Sequence, residues 1–181
     1  MRWERLFDDL EAQLVADGRR ELDAEVADRT RRERALLGLH ERLTATIGGR
    51  AISVRVAGVG VVTGRATGVG PDWLLLEERP DLPVLVPFGA IRVVTGLLGA
   101  EQTGAVAKGF TLGAALRAIS RDRAVVELVD VDGASLWGTI DAVGQDALDV
   151  AEHPADLPRR AEHVVACRTL PFAALALVRR R

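Results

Sequence analysis

Gly64-Arg65-Ala66-Thr67-Gly68-Val69-Gly70-Pro71-Asp72-Trp73-Leu74-Leu75-Leu76 decides how this chain is read, because Gly138-Thr139-Ile140-Asp141-Ala142-Val143-Gly144-Gln145-Asp146-Ala147-Leu148-Asp149-Val150 lines up with it. The two stretches lie 74 residues apart. Pro87-Phe88-Gly89-Ala90-Ile91-Arg92-Val93-Val94 lines up in turn with Pro171-Phe172-Ala173-Ala174-Leu175-Ala176-Leu177-Val178, 84 residues on. One ancestral unit, copied once and given a ten-residue insertion in the second copy, accounts for both offsets. The repeat predicts two small domains. Each is about 50–70 residues, near the lower limit for independent folding, so the copies should lean on each other, on helices or on another subunit.

Working outward, Ile52-Ser53-Val54-Arg55-Val56 alternates apolar and polar, the pattern of a strand with one buried face. Val61 to Val69 reads as a second strand whose glycines allow a sharp bend. Gly70-Pro71-Asp72 is a turn, Trp73 to Glu78 a third strand and Arg79-Pro80-Asp81 another turn. Leu82 to Pro87 and Ala90 to Thr95 flank a Phe88-Gly89 corner. Five short strands of this kind predict a closed antiparallel barrel. The second copy repeats the order. Thr111 reads as the N-cap of a helix through Leu112, Leu116 and Ile119, with Phe110 as its staple. Strands are predicted at 124–130, 135–143, 147–152, 164–170 and 173–179. The insertion, Glu152 to His163, lengthens the hairpin between the third and fourth of these.

Trp3, Leu6, Phe7, Leu10 and Leu14 form one apolar stripe on a helix, for packing within the chain, a dimer contact or docking to a partner. After Asp17-Gly18 helical composition resumes at Arg19 and runs to about Thr46. Its middle is polar on most sides, with Arg29, Arg31, Arg32 and Arg34 clustered there. They read as a solvated face with intrahelical ion pairs or as a nucleic-acid contact.

The formal net charge is −2, so the chain as a whole is no electrostatic trap for nucleic acid or anionic membrane. No run approaches the ~18–20 apolar residues of a membrane span. The charged N-terminus predicts no secretory leader, and the single cysteine, Cys167, read as a buried inert thiol, predicts a cytoplasmic location. Gly58-Val59-Gly60 and Gly68-Val69-Gly70 complete no dinucleotide pattern and open no helix, so they are turns. His153, His163, Glu152, Glu162 and Cys167 match no standard metal spacing and read as a solvated loop. His40 reads as a barrel-edge contact, and the matched Asp72 and Asp146 as turn residues. No catalytic pairing, cofactor or metal site is predicted, and the chain is not read as an enzyme.

A helix followed by five strands, with glycine in strand two and a corner before strand five, resembles the Sm-like (LSm and Hfq type) small β-barrel. The resemblance covers about residues 36–96 and 111–180. More closely, the chain resembles proteins of high-GC Gram-positive bacteria, a resemblance that supplies no activity. Sm-like proteins that bind RNA present an Asn near the start of strand three and an Arg-Gly or Lys-His pair at the strand four–five corner. Trp73 and Ala147 occupy the first place here, and Pro87-Phe88-Gly89 and Pro171-Phe172-Ala173 the second. The resemblance therefore implies the fold without the uridine pocket. Trp73 is left with two readings, a base-stacking platform or a packed core residue.

The expected fold is mainly β with N-terminal α: tandem five-stranded Sm-like/SH3-like small barrels, each preceded by a helix, plus a helical arm. Its parts are the arm (1–35), barrel 1 (36–96), a linker (97–110) and barrel 2 (111–181). Open edges on strands four and five should pair the barrels internally or build an oligomer. The expected function is a non-enzymatic scaffold or regulatory adaptor acting through protein–protein contacts. Trp3, Phe7, Leu10 and Leu14 are its candidate partner-binding residues. The alternative is an RNA- or DNA-binding regulator using Arg29, Arg31, Arg32, Arg34 and Trp73.

Overall fold

The computed structural model describes residues 37–97 and 106–180, together with residues 19–20, 22–29, 31 and 35. The chain divides into two compact units, residues 1–38 and 39–181. In the first unit, residues 19–20, 22–29, 31 and 35 are helical, as the sequence predicts. The predicted run to Thr46 is not continuous. Residues 37–38 leave the helical conformation at Gly38, a residue that costs a helix about 1 kcal/mol relative to Ala, and a short helix follows as Leu39–Thr44.

The second unit is mainly β. Its strands are β1 (Ile52–Val56), β2 (Gly60–Val69), β3 (Trp73–Arg79), β4 (Leu82–Pro87), β5 (Ile91–Thr95), β6 (Val125–Asp130), β7 (Ser135–Val143), β8 (Ala147–Glu152), β9 (Ala166–Pro171) and β10 (Leu175–Arg180). A ten-residue helix, Leu112–Arg121, precedes β6. Short 3-10 turns at Phe88–Ala90 and Phe172–Ala174 make the corners before β5 and β10. Most strand boundaries fall within a residue or two of those the sequence predicts.

All ten strands pair antiparallel in one sheet, in the order β5-β1-β2-β3-β4-β10-β6-β7-β8-β9. The sequence predicts two closed barrels; the pairing instead forms one open ladder. The free edge of β4 is taken by β10, with Val178 opposite Leu85 and Arg179 opposite Val84, so that edge joins the halves.

Register repeats from half to half. Val54 faces Val94 where Leu128 faces Val178. Ile52 faces Gly64 where Val126 faces Gly138. β2 and β3 slip register between Ala66 and Gly68, and β7 and β8 slip between Ile140 and Ala142. The corners match too: Phe88 N–H donates to the Asp72 carbonyl, and Phe172 N–H to the Asp146 carbonyl. Gly64 and Gly138 are both required by close approach. A Cβ on Gly64 would lie 2.6 Å from the Glu77 carbonyl oxygen, and one on Gly138 would collide with that of Ala151.

Two apolar clusters fill the unit, and each borrows from the other half. The first gathers Leu43, Val54, Leu74 and Val86 and takes in Val129, Ala176 and Leu177. The second gathers Leu116, Leu128, Ile140 and Leu148 and takes in Trp73 and Leu85. This exchange removes from water apolar surface that a half of this size would leave exposed on its own.

Candidate functional site

The features that set this sheet apart are its junction and its two ends. At the junction, Arg179 on β10 lies 3.2 Å from Glu78 on β3 and 3.0 Å from Glu127 on β6. One guanidinium thus bridges carboxylates of both halves. The Leu112 amide donates to Asp72 Oδ1 at 2.7 Å, so the β2–β3 turn of the first half caps the helix of the second. Thr111, the predicted N-cap, makes no side-chain cap bond. Trp73 Nε1–H donates to the Phe110 carbonyl at 2.9 Å, and the two rings lie 5.1 Å apart. Lys108 reaches the other end of this contact, its amide donating to the Val69 carbonyl and its ammonium lying 5.8 Å from the Phe110 ring.

Among the described strands, β5 and β9 each have one neighbour and therefore carry unpaired backbone groups on their outer side. Val93 on β5 is 42% exposed, and Leu39, at the start of the short helix of the same half, is 40% exposed. β9 is mostly polar outward. Arg168 Nε donates to Glu152 at 2.8 Å, and Thr169 Oγ1 donates to Asp149 at 2.7 Å.

Between β8 and β9 the inserted loop is pinned by Arg159, which donates two bonds of 2.6 Å to the Asp141 carboxylate on β7. Those bonds and the charge of Asp141 hold the Arg159 guanidinium above its ordinary value, so it stays cationic at any pH the fold meets. His153, at the start of the loop, does not follow the solvated reading. It is 2% exposed, its Nδ1–H donates to the Pro154 carbonyl, and its Nε2 meets the Thr139 hydroxyl at 2.9 Å. His163 is half-buried and bonds the Pro158 carbonyl through Nδ1. Cys167 corrects the other way. It is exposed rather than buried, because β9 ends the sheet. Among the described residues no three His, Cys, Asp or Glu side chains gather to hold a metal ion.

The remaining predicted site residues divide. Trp73 is 2% exposed and packed against Phe110, so the stacking-platform reading is corrected: neither ring face is offered to a base. Arg29 and Arg31 are exposed on the helix of the first unit, where Arg31 lies 3.6 Å from Asp28 one turn away. Trp3, Phe7, Leu10, Leu14, Arg32 and Arg34 lie outside the described residues. His40 sits on the short helix with its ring 6.4 Å from that of Phe88. The Asp72 cap and the Arg179 bridge are absent from the sequence reading. A carboxylate 40 residues from the amide it caps leaves no local pattern to find.

No helix among the described residues is long and apolar enough to cross a membrane. No protein family matches the chain, and neither a curated protein nor a solved structure shows significant similarity to it.

Proposed function

We propose that this chain is a non-enzymatic scaffold or regulatory adaptor, acting in the cytoplasm through protein–protein contacts and built from two copies of an Sm-like unit. The recurring register supports the duplicated unit. Each half orders its strands five-one-two-three-four, counted within the half, with the same slip between strands two and three. The observation that carries the functional reading is the pair of outer strands, β5 and β9, whose open backbone groups invite another strand. The places where RNA-binding Sm-like proteins present amide and basic side chains hold Trp73, Ala147, Phe88 and Phe172. These offer no donor to a base edge or phosphate, apart from an indole N–H already committed to Phe110.

Recovery of the full chain from native lysate, with and without nuclease, tests the reading. Protein partners that survive nuclease support it, and recovery of mainly RNA overturns it. RNA or DNA binding through the arginine-bearing helix is the second reading, favoured by the exposure of Arg29 and Arg31. It requires an affinity that falls steeply with salt and that weakens when Arg29, Arg31, Arg32 and Arg34 are replaced by Gln. Unchanged binding by that variant retires it.

A further inference from the structure

In the second half, the loop between β8 and β9 runs back over the outer face of the sheet as a strap. His153 seats on Thr139, and Arg159 grips the Asp141 carboxylate with two bonds of 2.6 Å. Thr139 and Ala151, paired across β7 and β8, are buried beneath it. The same row of the ladder continues to Cys167 on β9.

The first half has the matching row and no strap. Arg65 pairs with Glu77, and Glu77 with Pro83, at the places of Thr139, Ala151 and Cys167. β3 ends at Arg79 and β4 begins at Leu82, a turn too tight to send chain back over the sheet. Along this row the surface opens into a hollow of about 490 Å³, lined by Glu77, Asp81, Pro83 and Arg180. That volume falls within the range of about 300–1,000 Å³ usual for binding sites.

The charge of the hollow is unmatched. Arg180 is held by Asp122 at 2.9 Å. Arg65 faces Glu77 across the ladder but forms no salt bridge with it. The Glu77 and Asp81 carboxylates have no bonding partner among the described residues. We infer that the hollow is a docking groove for an arginine-bearing turn segment of a partner protein. The segment lies over Arg65 and Glu77 as the strap lies over Thr139 and Ala151, and its guanidinium meets the Glu77 and Asp81 carboxylates. The strap shows the chemistry: it too is a proline-containing turn whose arginine grips an aspartate of the sheet. A second copy is a poor occupant, because its strap would first give up its own bonds to Thr139 and Asp141. The inference rests on the scaffold reading and names the partner chemistry at one of its surfaces.

The probe is a labelled peptide of the strap sequence, Glu152 to His163, added to the full chain. Fluorescence anisotropy should show saturable binding, about fivefold weaker for Glu77→Gln and for Asp81→Asn, and weaker still for the two combined. Asn suits position 81 because φ there is +65°. Asp132→Asn, an exposed acid elsewhere in the same unit, is the charge control and should bind as the unaltered chain does. None of these carboxylates has a bond to lose, so the variants should keep the fold, and circular dichroism checks it. The peptide carrying Arg159→Glu should not bind. Absence of saturable binding, or an equal loss from Asp132→Asn, overturns the inference. Binding unmoved by the Glu77 and Asp81 variants also overturns it, since the peptide would then have displaced the strap from its own seat. So does self-association of the unaltered chain that Glu77→Gln abolishes, which would make a second copy the occupant. Nuclease-resistant partners recovered equally by the unaltered chain and the double variant would sink the groove and leave the scaffold reading standing, so the two can fail separately.

Discussion

Asp72 Oδ1 accepts a hydrogen bond from the Leu112 amide across the joint between the two halves, at 2.7 Å. The first amides of a helix have no partner within it, and a carboxylate there meets both the open donor and the positive end of the helix dipole. Thr111, the local candidate, leaves the task undone. The Asp72 carbonyl, meanwhile, accepts from Phe88 and fixes the corner before β5. One residue therefore fastens a turn within its own half and a helix belonging to the other.

Replacing Asp72 with Ala should remove the cap but keep the carbonyl contact. The expected loss is about 1 kcal/mol, typical of an N-cap. Urea unfolding measures it, and hydrogen exchange should quicken at the first turn of Leu112–Arg121 and not in β1 or β2. The matched variant Asp146→Ala should cost less, since only the Asp146 backbone carbonyl has a partner in the structure.

Gly58 and Gly133 touch where the β1–β2 turn of one half meets the β6–β7 turn of the other. A Cβ on Gly58 would lie 2.6 Å from the Asp130 carbonyl oxygen, and its φ is +67°. Both obstacles are backbone, which cannot rotate away. Gly58→Ala should cost about 2–4 kcal/mol by denaturation. Gly60→Ala is the control: φ is +96° but nothing lies within 4 Å of its Cβ, so only backbone strain of about 1–2 kcal/mol applies. Equal losses would show that strain, not contact between the halves, sets the cost.

The strands were legible because their alternation and turn chemistry are local. Ile52–Val56 and Ala147–Glu152 form as their residues predict. The repeat also aligned Phe88 with Phe172, which occupy the same place at the two corners. What the sequence hid was pairing at a distance. Nothing near Pro83 or Val84 says that their strand pairs with β10 rather than closing its own half. For the same reason Cys167 was misread: its neighbours predict a strand, but not that the strand lies at an edge. His153 was misread the other way, because a polar loop hides the one residue that turns back to Thr139.

Arg179 bridges Glu78 and Glu127 while its Nε, buried, has no partner of its own. Arg179→Met should keep much of the stem packing and leave two carboxylates facing each other without their cation. A fully buried pair broken in this way loses several kcal/mol. Here the side chains retain 16–31% exposure, and screening reduces the expected loss to about 1–2 kcal/mol. Adding Glu78→Gln and Glu127→Gln to Arg179→Met should recover most of it. A triple variant no better than the single one would place the cost in lost packing rather than in charge.

His153 and Thr139 form a buried polar pair, at 2% and 1% exposure. Because Nδ1–H donates to the Pro154 carbonyl, Nε2 of the neutral ring accepts from the Thr139 hydroxyl. Imidazole nitrogen shifts should report that tautomer directly. His153→Ala should cost about 2–4 kcal/mol, from a cavity together with an unmatched hydroxyl. Thr139→Val should cost about 1–2 kcal/mol, because it strands Nε2. If the hydrogen bond accounts for the coupling, the double variant costs less than the two single losses combined, since removing both partners leaves neither unsatisfied. Strict additivity would mean that the pair is packed side by side but not bonded. Bonded, it ties β7 to the start of the loop whose other anchor is Arg159 on Asp141. Losing it should then speed proteolytic cleavage between Pro154 and Val165 well before the sheet unfolds.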